Sequence, residues 1–226
     1  MPASDIQANP FKGLVEVIVS GDSGTAVRLL DASPQLAKEC AAQGATRQAP
    51  KQNFFNQIRH YLYQGDTALH MAAAAYQPLV VEKLITIGAD VRARNRRGAE
   101  PLHYAVDGGP GLPAWNPRTQ LQIIAMLISA GADPNAVDKS GVAPLHRAVR
   151  NRCAAAVRAL IDGGADPRAP NKSGSTPMLL ATQNTSRGGS GSAERRRSSK
   201  KFCVFLRSME PGEGYLEGGG TRKGSG

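Results

Sequence analysis

Much of what catalysis, metal binding or membrane insertion requires is scarce in this chain. Its three cysteines, Cys40, Cys153 and Cys203, stand far apart, with no Cys-x-x-Cys and no histidine at metal-ligand spacing. Neither a disulfide framework nor a zinc site is therefore indicated, and reduced thiols are expected. Aromatic residues make up only 5% of the sequence, with a single tryptophan. No apolar run approaches the roughly 18 to 20 residues that a membrane-spanning helix needs; Ile123 to Ile128 is among the longest. The opening MPASDIQANPFKG has no basic segment followed by an apolar stretch and a small-residue cleavage site, so a cytoplasmic protein is expected. There is no phosphate-cradling glycine loop, nucleophile elbow or His-Glu-x-x-His helix. A chain with no catalytic site, no cofactor and no metal is expected.

What is present suffices for a packed core, since 41% of the 226 residues are hydrophobic and 20% charged. Basic residues outnumber acidic ones, 28 to 18, for a formal charge of +10. Residues 185–226 hold nine basic and four acidic side chains, and residues 1–184 hold nineteen and fourteen, so each part carries +5. Half of the basicity therefore belongs to the tail.

The body of the chain repeats itself. GDTALHMAAAAYQPLVVEKLITIGADVRARNRR from Gly65, GAEPLHYAVDG from Gly98, GVAPLHRAVRNRCAAAVRALIDGGADPRAPNKS from Gly141 and GSTPMLLATQN from Gly174 align with one another. Thr67 to Glu100 spans 33 residues, Ala143 to Thr176 spans 33, and Glu100 to Ala143 spans 43, which is one period with a ten-residue insertion. A fixed period of this size predicts a solenoid. Pro101, Pro144 and Pro177 suit a first helical turn, where a missing N–H costs nothing, and Thr67 and Thr176 precede it as N-caps. Leu79 to Ile87, Leu121 to Ile128 and Val157 to Ile161 show apolar spacing of three and four, a second amphipathic helix in each unit. Gly88, Gly131 and Gly164 follow as helix terminators able to take positive φ. Such helix pairs cannot bury their own apolar faces and must stack.

At these residues the chain resembles the ankyrin-repeat family. The family's Thr-Pro-Leu-His opening stands as TALH at 67–70, EPLH at 100–103, APLH at 143–146 and TPML at 176–179. Its Gly-Ala-Asp ending stands at Gly88-Ala89-Asp90, Gly131-Ala132-Asp133 and Gly164-Ala165-Asp166. The resemblance implies an all-α ankyrin solenoid with β-hairpin turns, of about five units. Residues 1–10 are expected to be a disordered N-terminus, 11–64 a degenerate capping repeat and connection, 65–184 the repeats with an insertion at 109–118, and 185–226 a flexible tail. Phe54, Phe55, Tyr61 and Tyr63 in the connection are expected to cover the first helices. His70, His103 and His146 recur at one position and are expected to bond to neighbouring turn backbone, and Asp90, Asp133 and Asp166 to tie down turns through their own backbone.

The resemblance further implies a non-enzymatic protein-interaction module that uses hairpin tips and the inner face of its first helices. Positive charge collects at Arg92, Arg94, Arg96 and Arg97 in one turn, and at Arg147, Arg150, Arg152 and Arg158 on the next unit's helices. The residues expected to meet a partner are Arg94, Arg96, Arg97, Asp107, Trp115, Lys139, Arg150, Asn151 and Lys172. Such a surface favours an acidic protein partner. An electrostatic binder of nucleic acid or another polyanion is the runner-up; no membrane partner is expected, and the protein is expected to be a monomer. Trp115, among three prolines and two glycines in the insertion, suits either an interface anchor or a cover for a helix end.

The tail breaks the pattern. Arg195-Arg196-Arg197-Ser198-Ser199-Lys200-Lys201 reads as a nuclear-targeting or nucleic-acid patch, as a phosphosite at Ser198, or as a solvated tail. A change of reading frame explains more. Permitted codons for Glu194 to Gly212, with the first two nucleotides dropped, translate as APAQQQEILRLLEEHGAR. That is an amphipathic helix ending in Gly-Ala, the second half that the last unit lacks. A frameshift near Glu194 is therefore expected, leaving the last unit incomplete.

Overall fold

The computed structural model describes residues 9–46, 48, 51–109 and 115–182. Expectations for residues 1–8, for the centre of the insertion and for the tail from residue 183 lie outside the described residues. Nine α-helices occur among those described: α1 (Pro10–Ser20), α2 (Ser23–Ala32), α3 (Ala68–Ala74), α4 (Pro78–Thr86), α5 (Pro101–Ala105), α6 (Pro117–Ser129), α7 (Pro144–Arg150), α8 (Ala154–Asp162) and α9 (Pro177–Thr182). The strands β1 (Phe54–Phe55) and β2 (His60–Tyr61) pair antiparallel, with Phe54 opposite Tyr61 and Phe55 opposite His60.

The helices form two layers. Odd-numbered helices stack α1 on α3, α3 on α5, α5 on α7 and α7 on α9, while α2, α4, α6 and α8 stack behind them. Each pair leaves an apolar face that only the next pair can cover, so one core runs the length of the stack through Leu14, Ile18, Leu69, Leu84, Leu102, Ile123, Leu127, Leu145 and Leu160. Every one of these is at most 1% exposed, and burial of such a side chain contributes roughly 2 kcal/mol. The inner layer is thin because its residues are small: Ala72 and Ala73 of α3 are wholly buried.

Helix ends follow local chemistry. Asn9 caps α1 by accepting from the Lys12 N–H at 3.0 Å, and Asp22 caps α2 by accepting from Thr25 at 2.9 Å. The first unit thus has two capped helices, although it carries neither repeat motif. Asn116 accepts from the N–H groups of Arg118 and Thr119, so α6 opens at Pro117 and the last two residues of the expected insertion are helical. Gly88, Gly131 and Gly164 close α4, α6 and α8 at φ of 88°, 98° and 93°, where a Cβ would be strained.

The expected histidine role is observed three times. Nδ1 of His70, His103 and His146 accepts from the backbone N–H of Thr67, Glu100 and Ala143, and Nε2 donates to the carbonyls of Ala99, Val142 and Ser175 in the next unit. Each ring therefore fastens a helix start and staples neighbouring units at once. It works as a neutral tautomer with its proton on Nε2, and burial pushes the pKa of all three down, that of His103 to about 4. Thr67 also turns its hydroxyl to His70, at 2.9 Å, rather than to a helix N–H. Thr176 caps normally, accepting from Leu179. Asp90, Asp133 and Asp166 each accept from the backbone N–H two residues on, at 2.8 Å, as expected.

Candidate partner-binding groove

The hairpin tips stack through their backbones. Arg96 donates its N–H to Gln64, Lys139 to Arg97 and Lys172 to Ser140, at 2.8 to 3.1 Å. Inside each tip an Asn or Asp side chain closes the turn: Asn95 accepts from Arg97 and Ala99, Asp138 from Ser140 and Val142, Asn171 from Ser173 and Ser175. These three residues recur at the repeat spacing, which is the signal by which the sequence could have revealed them.

Between the tips and the C-terminal ends of α5 and α7 lies a cavity of about 520 Å³, reaching Arg97, Ser140 and Ser173 on one side and Tyr104, Asp107, Arg150 and Asn151 on the other. Its third wall is the β1–β2 hairpin, through Arg59, His60 and Tyr61. A second cavity, of about 490 Å³, continues over the tips past Tyr61, Tyr63, Arg96, Arg97, Lys139 and Ser140 to Ala45 and Thr46.

A chain of charged groups holds the first cavity together. Arg147, whose side chain is 15% exposed, donates Nη1 to Asp107 at 2.7 Å and Nη2 to Asp138 at 3.0 Å. His60 donates Nε2 to the same Asp107 oxygen at 3.2 Å and Nδ1 to its neighbour Tyr61's carbonyl at 2.8 Å. Two carbonyl-type acceptors on one ring require both nitrogens to carry protons. Burial opposes that charge, and Asp107 overcomes it, so the pKa of His60 is raised. Burial also opposes ionisation of Asp107 and Asp138, yet Arg147 holds both carboxyls below the ordinary range.

Arg147 is therefore not a free cation, which corrects its place in the basic cluster read from the sequence. The pairing spans forty residues and has no sequence pattern, because solenoid stacking alone brings α5 beside α7. Two members of the other basic cluster, in the turn at 92–97, are also engaged. Arg94 donates Nε to Glu100 at 3.0 Å, and Arg92 lies 3.6 Å from Asp133.

Tyr63 organises the groove's other edge. The guanidinium carbons of Arg96 and Arg97 lie 5.5 and 5.1 Å from its ring centroid, and Arg97 donates Nη1 to its hydroxyl at 3.0 Å. Arg96 also donates to the Ala45 carbonyl. Phe55 and Tyr63 pack against the core as expected of covers, and Tyr61 and Tyr63 also line the cavities, because the connection turns inward onto Tyr104.

The structure thus gathers Arg97, Asp107, Arg150 and Asn151 round one cavity and Arg96, Arg97 and Lys139 round the other. Arg94 and Trp115 line neither, and Lys172 sits exposed at the next tip. Trp115 packs back: its indole N–H donates to Gln120 at 3.0 Å and its ring meets the core. Gln120, wholly buried, donates in turn to the carbonyls of Ala105 and Gly108. Among the described residues no group of histidines, cysteines and carboxylates could hold a metal ion, and no helix is long and apolar enough to cross a membrane.

Comparison with known proteins accords with this geometry. Residues 64–96 and 97–139 each match the ankyrin repeat, and residues 127–181 match ankyrin repeats in many copies. The chain belongs to the ankyrin-repeat family. It is similar to the NF-kappa-B inhibitor delta of Mus musculus, 45% identical over 51 residues. That match covers 22% of this ankyrin-repeat chain and 16% of the mouse protein, so the two are comparable over a short stretch alone. Ankyrin repeats point to a protein-interaction module in general terms.

Proposed function

We propose that this ankyrin-repeat protein binds an acidic protein partner in the groove between its hairpin tips and first helices. The observation that carries the reading is charge balance. Four arginines and two aspartates line the first cavity, and both aspartates are consumed by Arg147 and His60. Arg59, Arg97 and Arg150 remain without an ion pair among the described residues, and Arg96 and Lys139 extend the positive edge. Such a field favours negative partners and hastens their encounter. Arg96, Arg97, Lys139, Arg150 and Asn151 are the proposed contacts; Asp107 holds the wall, and Arg94, Trp115 and Lys172 lie at the margin. Ankyrin-repeat proteins are generally non-enzymatic, and the mouse relative is named as an inhibitor; both support a chain that acts by binding.

The test compares partner capture by the wild type, by Arg97→Glu with Arg150→Glu, and by Arg168→Glu away from the groove. Loss in the double variant with retention in Arg168→Glu is expected; equal capture by all three refutes the site. The net charge favours one second reading, a polyanion such as nucleic acid. Its mark is binding that falls steeply with salt and shows no preference for a protein.

A further inference from the structure

The connection of the first unit is longer than its counterparts. Gly88 to Glu100, Gly131 to Ala143 and Gly164 to Thr176 each span twelve residues. In the first unit the Ala45 N–H already meets the Leu62 carbonyl at 2.8 Å, so the chain between them, described at residues 46, 48 and 51–61, makes an excursion that a regular turn does not need. That excursion is anchored inward: His60 binds Asp107, and its ring lies 4.3 Å from that of Tyr104.

We propose that this excursion is part of the binding site, walling the concave face into a cleft whose occupant is an extended acidic segment of the protein partner. The proposal rests on the groove reading above and specifies its occupant. Three observations support it. The two cavities share Tyr61, Tyr63, Arg97, Asp138 and Ser140, so they form one cleft that bends round the two tyrosines. Two cavities joined end to end along the tips offer a continuous track for a single extended chain. At the bend, Tyr63 holds Arg96 and Arg97 in place before any ligand arrives, which lowers the entropic cost of pairing them with carboxylates. The walls beside them offer the hydroxyls of Ser140 and Ser173, the Asn171 amide N–H groups and the Asn151 amide oxygen, which suit a peptide backbone while Asn171 Oδ1 closes its turn and Asn151 Nδ2 holds the Val106 carbonyl. A nucleic-acid strand fits less well, because stacking needs free aromatic faces. Here Phe54 meets Tyr61, His60 meets Tyr104, and two guanidiniums take up Tyr63.

Fluorescence anisotropy tests this with labelled hexaglutamate, hexaglutamine and dodecathymidylate. One variant replaces residues 46–61 by Asn-Gly, a two-residue turn suited to joining the paired Ala45 and Leu62. The others are Tyr63→Ala and Tyr63→Phe. Hexaglutamate is expected to bind and hexaglutamine not; the loop replacement and Tyr63→Ala are each expected to weaken hexaglutamate by about tenfold, and Tyr63→Phe, which keeps the ring, to recover part of that loss. If the loop replacement fails to fold by circular dichroism, Tyr61→Ala, on the excursion itself, decides by the same loss. Full binding by these variants, with loss in Arg97→Glu with Arg150→Glu, overturns the wall and leaves the groove standing. Full binding by all of them overturns both. Tighter binding of dodecathymidylate than of hexaglutamate overturns the peptide occupant.

Discussion

Acid should loosen this solenoid well above the pH at which its carboxylates titrate. His70, His103 and His146 are fixed as neutral rings by a backbone donor on Nδ1 and a backbone acceptor on Nε2. Protonating Nδ1 would set two N–H groups against each other and charge a buried ring. For His103 the folded pKa is pushed down to about 4 by burial and by Arg147. An unfolded histidine titrates near 6.5. The contribution is therefore intact above about 6.5 and is lost as the pH falls towards 4, because in that window the unfolded chain holds a proton that the folded chain refuses. About 2.5 pH units at 1.36 kcal/mol each amounts to roughly 3 kcal/mol for His103, and His70 and His146 add in the same direction. Other groups do not cancel this. The raised pKa of His60 gives stability that is fully present below about 6.5 and lost only at higher pH, and Asp107 and Asp138 lose theirs only below about 4. Glu100, raised by burial, offsets part of the loss at the lower end. Urea unfolding followed by circular dichroism at half-unit steps from pH 7.5 to 4.5 should show a steadily falling midpoint. His103→Gln should be less stable at pH 7.5 and lose less on acidification than the wild type. A midpoint constant across this range would refute the neutral staple.

Three further outcomes are expected. Arg147→Met leaves Asp107 and Asp138 without their shared cation and should destabilise by roughly 3 kcal/mol, while adding Asp107→Asn and Asp138→Asn should restore part of the loss in thermal melts. Gly108→Ala would place a Cβ 1.8 Å from the Tyr76 hydroxyl; a loss of about 1 to 3 kcal/mol is expected, with Tyr76→Phe partly rescuing it in the same melts. Sequencing the DNA around the codon for Glu194 should reveal an added or missing nucleotide and, in the other frame, an Ile-Leu-Arg-Leu-Leu segment; a different segment there would remove the frameshift reading.

Legibility differed sharply between the scaffold and the site. The 33-residue period, the proline and glycine positions and the recurring histidines depend on contacts a fixed distance along the chain, so a solenoid writes them into its sequence. Even the tip residues Asn95, Asp138 and Asn171 stood at that spacing. The groove obeys no such rule. Arg147 looked like one of several cations in a basic cluster until stacking placed it between two aspartates, and Trp115 suited either an anchor or a cover until Gln120 took its N–H. The aromatic connection had no periodic partner at all, and its inward turn follows from His60 finding Asp107.

The sequence alone determined the repeat, the number and order of helix pairs, the family and the bonding of the recurring histidines to turn backbone, because each follows from local spacing multiplied by regular stacking. Tertiary structure decided which charges stay free. Pairing between Asp107, Arg147, Asp138 and His60 joins residues up to 87 apart across three units, and only the stacked geometry settles which of them cancel and which face the groove.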